Sequence, residues 1–405
     1  MSLEIKNIKD MVAMYGSPLY IYDSEKIITQ YNSLTDAFGD LDLKIKYASK
    51  ACTNISILGL LKQLGAGMDC VSVNEVKLGL QVGFDPSEII FTPNCVPFEE
   101  IEEAKELGVH LNIDNIPFLE KFGQKYGASY PICIRINPHI QAGGNANIQV
   151  GHVGSKFGIS ILQFKEVVDV VKKYNLDVEG LHVHTGSDIL DVDVFLRGAK
   201  VLFDCAREFP NLQFLDFGSG FKVPYKEGDN ATDIKKLGQS MQKAFKEFCQ
   251  SYGKELEIWF EPGKYMVSES GNFVAQATVI KETPACVFVG LNSGFNHLIR
   301  PMFYDSYHDI INISNPEGDK KVYNVVGYIC ETDTFANARK LSEVKEGDLI
   351  LFKNAGAYGF EMGSNFNSRL KPAQVMWHNG ESHLIRKRDT FEDLISKQTG
   401  FIPTI

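Results

Sequence analysis

The chain has 405 residues, 44% of them hydrophobic, enough to bury the core of one large domain or of two ordinary ones. Its net charge of −10 and pI near 5.5 exclude the broad basic surface that phosphate backbones require, so small molecules rather than nucleic acid are the expected partners. The eight cysteines are scattered singly without a Cys-x-x-Cys pair, the opening MSLEIKNIKD has no signal-like apolar run, and no stretch approaches a membrane span. A cytoplasmic protein with no membrane partner is the expectation.

In chain order, SPLYIYD is a short strand with no barrel partner before it, expected to pair with the β-rich region that comes last. SEKIITQYNSLTDAF has helical spacing. Between Lys44 and Gly263 follow eight short β-rich runs: KIKYASK, GMDCVS, EIIFTP, HLNIDN, PICIRINP, GLHVHTGS, FLDFGSG and EIWFEPG. Between them lie stretches such as ISILGLLKQLG, PFEEIEEAKELG, LQFKEVVDVVKKY and DIKKLGQSMQKAFKEFCQSYG, with apolar residues at spacings of three and four and frequent glycine stops. This alternation predicts a closed parallel (β/α)8 TIM barrel over residues 25–268, with an open doubly wound sheet as the alternative. After it, GNFVAQATVI, ACVFVGLN, KVYNVVGYIC, DLILFKN, AQVMWHNG and SHLIRK succeed one another almost without helical periodicity. They predict a mostly antiparallel β domain over 269–405, joined by the N-terminal strand segment 1–24.

A barrel's chemistry sits at the C-terminal ends of its strands, where Lys50, Asp69, Asn94, Asp114, Arg135, His184, Ser187, the Gly-Ser-Gly of FGSGF and Glu261 fall. Lys50 shares strand parity with Lys44 and Lys46, so a solvated edge explains it as well as a reactive amine does. A lone Gly-x-Gly is more often a tight turn, but after the seventh strand it stands where barrels hold phosphates. Glu261 is either a structural cap or the partner of a ring nitrogen. His182 and His184 are expected to divide, one facing into the barrel and one toward the helices. With no carboxylate or cysteine near them in sequence, no metal site is expected. A reactive lysine, a phosphate cradle, a flat imidazole and an acid aimed at a ring nitrogen together suit pyridoxal 5'-phosphate (PLP).

YASKACTN, HVHTGSDI, LDFGSGF and FEPGK, followed by GFNHLIRPMFYDSYHDI, VVGYICETDTF and NAGAYGFEMGSNFNSR, resemble diaminopimelate decarboxylase, of the alanine-racemase-like fold-type III PLP enzymes. The resemblance runs from Pro18 to Leu394 with the motifs in the family's order. It implies decarboxylation of meso-2,6-diaminopimelate to L-lysine and CO2, the last step of lysine biosynthesis, by a homodimer whose active sites are built from both chains. By position, Lys50 matches the lysine that bonds the cofactor, His184 the imidazole stacked on its ring, and Glu261 the ring-nitrogen partner. Ser187, Gly218, Ser219, Gly220 and Gly263 match the phosphate site, with Tyr358 closing over it toward the substrate. Arg300 and Tyr304 match substrate-carboxylate positions, while Cys330, a proton donor, and Glu331, beside the distal amine, match residues given by the partner chain. Lys264 stands where the family has an arginine, which replaces a two-point fork with a compact charge at a substrate-binding position. Without the resemblance, Arg300 and Tyr304 read as loop residues and Cys330 as a buried core cysteine. Two alternatives stay open: a decarboxylase of ornithine, lysine or arginine, against which Arg300 and Glu331 argue, and a PLP-binding protein without turnover.

Overall fold

The computed structural model describes residues 3–140 and 151–404. The chain divides into two compact units, Ile27–Val267 and Met1–Lys26 with Ser268–Ile405. Among the described residues no helix is long and apolar enough to cross a membrane.

The first strand, β1 (Leu19–Asp23), belongs to the second unit. The first unit is built on β2 (Leu43–Ala48), β3 (Gly67–Cys70), β4 (Ile89–Phe91), β5 (His110–Ile113), β6 (Ile132–Asn137), β7 (Ile159–Ser160), β8 (Val178–Val183), β9 (Phe214–Asp216) and β10 (Glu257–Phe260). Parallel pairing runs β2-β3-β4-β5-β6-β8-β9-β10 and returns from β10 to β2, so the sheet closes and the open-sheet alternative falls. The two-residue β7 is a spur on β6. All eight β-rich runs are barrel strands. The helices between them form for the reasons their sequences give. Phe164–Tyr174 buries Val167, Val168, Val170 and Val171 as one apolar stripe and stops at left-handed Asn175. Ile234–Tyr252 starts where the Asp233 carboxylate accepts the Lys236 amide and ends at left-handed Gly253.

Inside the barrel, Ile90, Cys133, Phe214 and Trp259 pack together, the last two rings stacked face to face. Gly180 on β8 makes this possible, because a Cβ there would lie 2.2 Å from the Phe214 ring. Lys46 also lies inside, only 4% exposed, its Nζ 4.0 Å from the Trp259 ring centre and 3.1 Å from the Glu88 carbonyl oxygen. Parity with Lys46 is therefore no support for a solvated edge at Lys50: in a closed sheet the Lys46 side chain lies in the interior. Burial lowers the Lys46 pKa to about 8.

The second unit adds β11 (Gly271–Glu282), β12 (Val287–Leu291), β13 (Ile310–Asn312), β14 (Lys320–Val326), β15 (Thr334–Ser342), β16 (Leu349–Phe352), β17 (Ala373–His378) and β18 (Glu381–Arg386). Its strand order is β15-β14-β12-β11-β1-β17-β18, with β16 on β11 and β13 on β16. Pairing is antiparallel except β1 with β17 and β12 with β14. SPLYIYD supplies β1, clasped between β11 and β17; Leu19, Tyr20, Ile21 and Tyr22 are all fully buried, which explains an apolar run without alternation. Sequence periodicity missed the helix Ile5–Tyr15, the strands β13 and β15, and the short helix Arg300–Tyr304. The edge strand β15, TFANARKLS, keeps polar residues over much of its length, which hides its pattern.

Candidate active site

In the barrel, β2 ends at Ala48 and a single tight turn, Ser49–Ala51, brings Lys50 to the mouth. Lys50 Nζ lies 2.9 Å from Asp69 Oδ2 at the tip of β3, a 43% exposed amine resting on a carboxylate that is 1% exposed. Gly263, just past β10, lets that strand end close on the turn, since a Cβ there would touch the Cβ atoms of Ala48 and Ala51 at 3.1 Å.

His182 faces the interior, its Nδ1 2.6 Å from Asn112 Nδ2 and its Nε2 3.3 Å from Glu261 Oε2. His184 lies just beyond the end of β8, where its Nδ1 accepts the Ser219 amide at 3.2 Å. The expected division of the pair is thus wrong: residues two apart share a strand face, and Val183 between them is the one that turns away. Burial, and then the charge of Arg135, lower the His184 pKa to about 3, so the ring is neutral.

The glycine turn is demanded by geometry. Gly218 and Gly220 have φ of 60° and 112°. A Cβ on Gly218 would sit 2.5 Å from His184 Nδ1, and one on Gly220 2.1 Å from the Gly186 carbonyl oxygen. Ser219 between them is nearly buried. The loop that carries Ser187 is stitched to this turn by the Ile189 amide, which donates to the Gly220 carbonyl at 2.9 Å.

Three carboxyl groups, Asp69, Asp216 and Glu261, lie buried under the mouth. Among the described residues, Asp69 Oδ1, Asp216 Oδ2 and Glu261 Oε1 have no hydrogen-bond partner. Burial pushes the Glu261 pKa up, but the charges of His182 and Lys50 outweigh it, so Glu261 titrates below its ordinary range. Burial and then the Glu261 charge raise Asp69, and raise Asp216 well above the usual carboxylate range. His182, Asp216 and Glu261 offer ligand atoms within 4.8 Å of one another. The carboxylates that His182 lacked nearby in sequence come from neighbouring strands.

Lys264 opens the short helix Lys264–Val267 and is ion-paired with Asp188, whose backbone is left-handed. The ammonium therefore carries its own counter-ion. Asp69 was expected at a strand end and His182 only as one of a histidine pair, whereas Asp216 and Asn112 were not singled out for the site; the legible signal for Asp216 was its place two residues before a glycine whose amide its carboxylate accepts at 2.8 Å. A cavity of about 1180 Å³ opens at the opposite mouth of the barrel. There His110 pairs with Glu179 at 2.7 Å and Lys246 with Asp40 at 2.7 Å.

In the second unit, Arg300 begins its short helix 6% exposed, with Nη2 3.4 Å from Ser306 Oγ and its guanidinium 5.9 Å from the Tyr304 ring centre. The two form a pair on one helical turn, not on a loop. Cys330 is exposed, not buried, because it follows β14 in a loop where Asn367 Nδ2 lies 3.2 Å from its sulfur; Glu331 beside it is also exposed. Asp333 ties that loop down by accepting the Phe295 and Ile329 amides at 2.7 and 3.0 Å. Tyr358 is partly buried with φ of 56°, a left-handed conformation uncommon for a bulky residue.

A half-exposed amine on a buried acid, a glycine turn with no room for a Cβ, a neutral imidazole and an orphaned carboxylate oxygen fit the aldehyde, phosphate, ring face and ring nitrogen of PLP. With the closed barrel and the β unit they define a pyridoxal-dependent decarboxylase of fold type III, and residues 24–268 match the family described as pyridoxal-dependent decarboxylase, pyridoxal binding domain. The chain is 35% identical to diaminopimelate decarboxylase of Methanothermobacter thermautotrophicus over 95% of its length and 92% of the relative's, and 34% identical to that of Campylobacter jejuni over 97% and 99%. The structure of diaminopimelate decarboxylase from Helicobacter pylori complexed with L-lysine superimposes with a TM-score of 0.89 at 32% identity, covering 96% of this chain and 98% of that one. The chain belongs to the diaminopimelate decarboxylase family, PLP-dependent carboxy-lyases that convert meso-2,6-diaminopimelate to L-lysine and CO2. A lysine/ornithine decarboxylase from Vibrio vulnificus shares the fold at 22% identity.

Proposed function

We propose that Lys50 and Cys330 are the catalytic residues of this decarboxylation, in a cytoplasmic homodimer whose sites each combine the barrel of one subunit with Cys330 and Glu331 of the partner subunit. The observation that carries the barrel half is Lys50 held 2.9 Å from buried Asp69 beside the glycine turn and Glu261. When bound, PLP supplies an electron-poor ring that accepts the electron pair left as CO2 departs. Lys50 Nζ anchors the cofactor, and Asp69 keeps a proton acceptor beside that amine. Glu261 holds a negative charge where the ring nitrogen must keep its proton. Neutral His184 stacks against the ring without adding a competing charge. The turn of Gly218, Ser219 and Gly220, its first two amides fixed by Asp216 and His184, holds the phosphate together with Ser187 and Gly263, and Tyr358 closes over it. Arg300 and Tyr304 hold the substrate's distal carboxylate through charge-assisted hydrogen bonds, and Glu331 its distal ammonium. Cys330 returns a proton to Cα. Lys264, compensated by Asp188, gives the substrate side a point charge in place of an arginine fork.

The test is CO2 release from the PLP-loaded protein incubated separately with meso-diaminopimelate, ornithine, lysine and arginine. Release from diaminopimelate is expected, and release from ornithine alone overturns the substrate assignment. Mixing inactive Lys50→Ala and Cys330→Ala chains is expected to restore part of the activity in mixed dimers. No recovery would count against a shared site.

A further inference from the structure

Asp216 sits fully buried at the end of β9, two residues before the glycine turn begins, and takes no part in the chemistry assigned above. Its Oδ1 accepts the Gly218 amide at 2.8 Å. Gly218 in turn accepts, through its carbonyl oxygen, the backbone amide of Glu261 at 2.6 Å. The two carboxyl groups are thus tethered to one residue, with ligand atoms within 4.8 Å of each other and of His182. Yet Asp216 Oδ2 and Glu261 Oε1, both buried, have no hydrogen-bond partner among the described residues. Two buried acceptor-only oxygens, in carboxyl groups within hydrogen-bonding reach of each other, would be an unrelieved cost. A single O–H between the carboxyl groups satisfies both.

We infer that Asp216 is a positioning residue that carries a proton and donates it as a hydrogen bond to Glu261, so that one neutral carboxyl sets both the glycine turn and the charge of the acid beside it. This rests on the proposed roles of Glu261 and the turn. The neighbours decide which carboxyl is protonated. Glu261 has the His182 imidazole at 3.3 Å and the Lys50 ammonium nearby to favour its ionised form. Asp216 meets burial and the negative fields of Glu261 and Asp69, with only the Gly218 amide in its favour, and its pKa is accordingly well above the ordinary range. His184, neutral, adds no charge to the group. A third neighbour, Asn112, holds His182 from the far side at 2.6 Å, so the Glu261 carboxylate is oriented from two directions.

An asparagine is the shape of a protonated aspartate, with an amide N–H where the O–H stands and a carbonyl where Oδ1 accepts. In the PLP-loaded protein, infrared difference spectra between the parent and Asp216→Asn are expected to show the carbonyl stretch of a protonated carboxyl in the parent, lost in the variant, at neutral pH. Asp216→Asn is expected to weaken cofactor affinity by less than about threefold, against about tenfold or more for Asp216→Ala, which strips the buried Gly218 amide of its acceptor. Absence of the protonated-carboxyl band, or a loss in Asp216→Asn as large as in Asp216→Ala, overturns the inference; so does stoichiometric zinc bound by the parent and lost in Asp216→Asn. Glu261→Gln separates this from the reading beneath it. If that variant leaves the pH dependence of the cofactor's visible absorbance unmoved while the Asp216 band persists, the ring-nitrogen role of Glu261 is wrong and the proton on Asp216 stands.

Discussion

The barrel and the β unit carry their candidate residues in opposite ways. In the barrel, Asp69, His182, Asp216 and Glu261 are buried within the cylinder and tied to one another and to backbone at one mouth. In the β unit, Cys330 and Glu331 stand exposed on a loop, while buried Arg300 and partly buried Tyr304 lie on a five-residue helix. The difference follows from strand direction. Parallel strands deliver all their C-terminal ends to one place, where charges must satisfy one another out of water. A mostly antiparallel sheet sends alternate ends apart, and its functional groups stay on connections.

The largest effect should fall on the barrel. Lys50→Ala is expected to lower decarboxylation by about 10³-fold or more while leaving the folded state intact, since the side chain is half exposed; steady-state rates and thermal melting check both parts. Activity within a few-fold of the parent would remove the barrel's claim to the chemistry. Next, Phe214→Ala opens the barrel interior around Trp259 and should cost about 3–5 kcal/mol of stability, read by denaturant unfolding. Hydrogen exchange should then rise in barrel amides first.

In the β unit, Arg300→Gln removes charged hydrogen bonds worth about 1.5–3 kcal/mol, so KM for diaminopimelate should rise roughly tenfold to hundredfold with a smaller change in kcat. An unchanged KM would leave this unit without its proposed share of substrate binding. Acid should affect the units unequally. Burial lowers His297 to about 4 and His308 to about 3 in the β unit, so both stay neutral in the folded state. Their contribution is complete above the unfolded value near 6.5 and is lost as pH falls from there toward those values, because only the unfolded chain takes up protons. His184 adds the same trend to the barrel. Carboxyls raised by burial bind protons in the folded state before the unfolded ones do and offset part of the loss, Asp23 and Asp333 in the β unit but Asp69 and, far more strongly, Asp216 in the barrel. Segment-resolved hydrogen exchange at pH 7 and 4.5 should therefore show the larger loss of protection in the β unit; an equal loss would contradict this. The smallest effect is expected from Lys264→Arg, which keeps the charge and the Asp188 pairing and should shift KM by less than about fivefold.

The same contrast explains what the sequence made legible. KIKYASK through EIWFEPG marked every barrel strand, because short β-rich runs alternated with amphipathic helices, and strand ends then pointed to Lys50, His184 and Glu261. The cluster of His182, Asp216 and Glu261 was not legible, since closure of the sheet, not sequence distance, brings those strands side by side. Lys46 misled for the same reason: its parity marks a face, and only closure makes that face the interior. In the β unit, β15 and the Arg300 helix left weak patterns, and Cys330, Arg300 and Tyr304 were reached through the family resemblance alone.

The most direct measurement is borohydride reduction of the PLP-loaded protein, followed by peptide mapping of the pyridoxyl label. A single label on Lys50 is the expected result. A label on Lys46 or Lys264 instead, or none at all, would contradict the assignment of the barrel mouth as the place where cofactor and protein are joined.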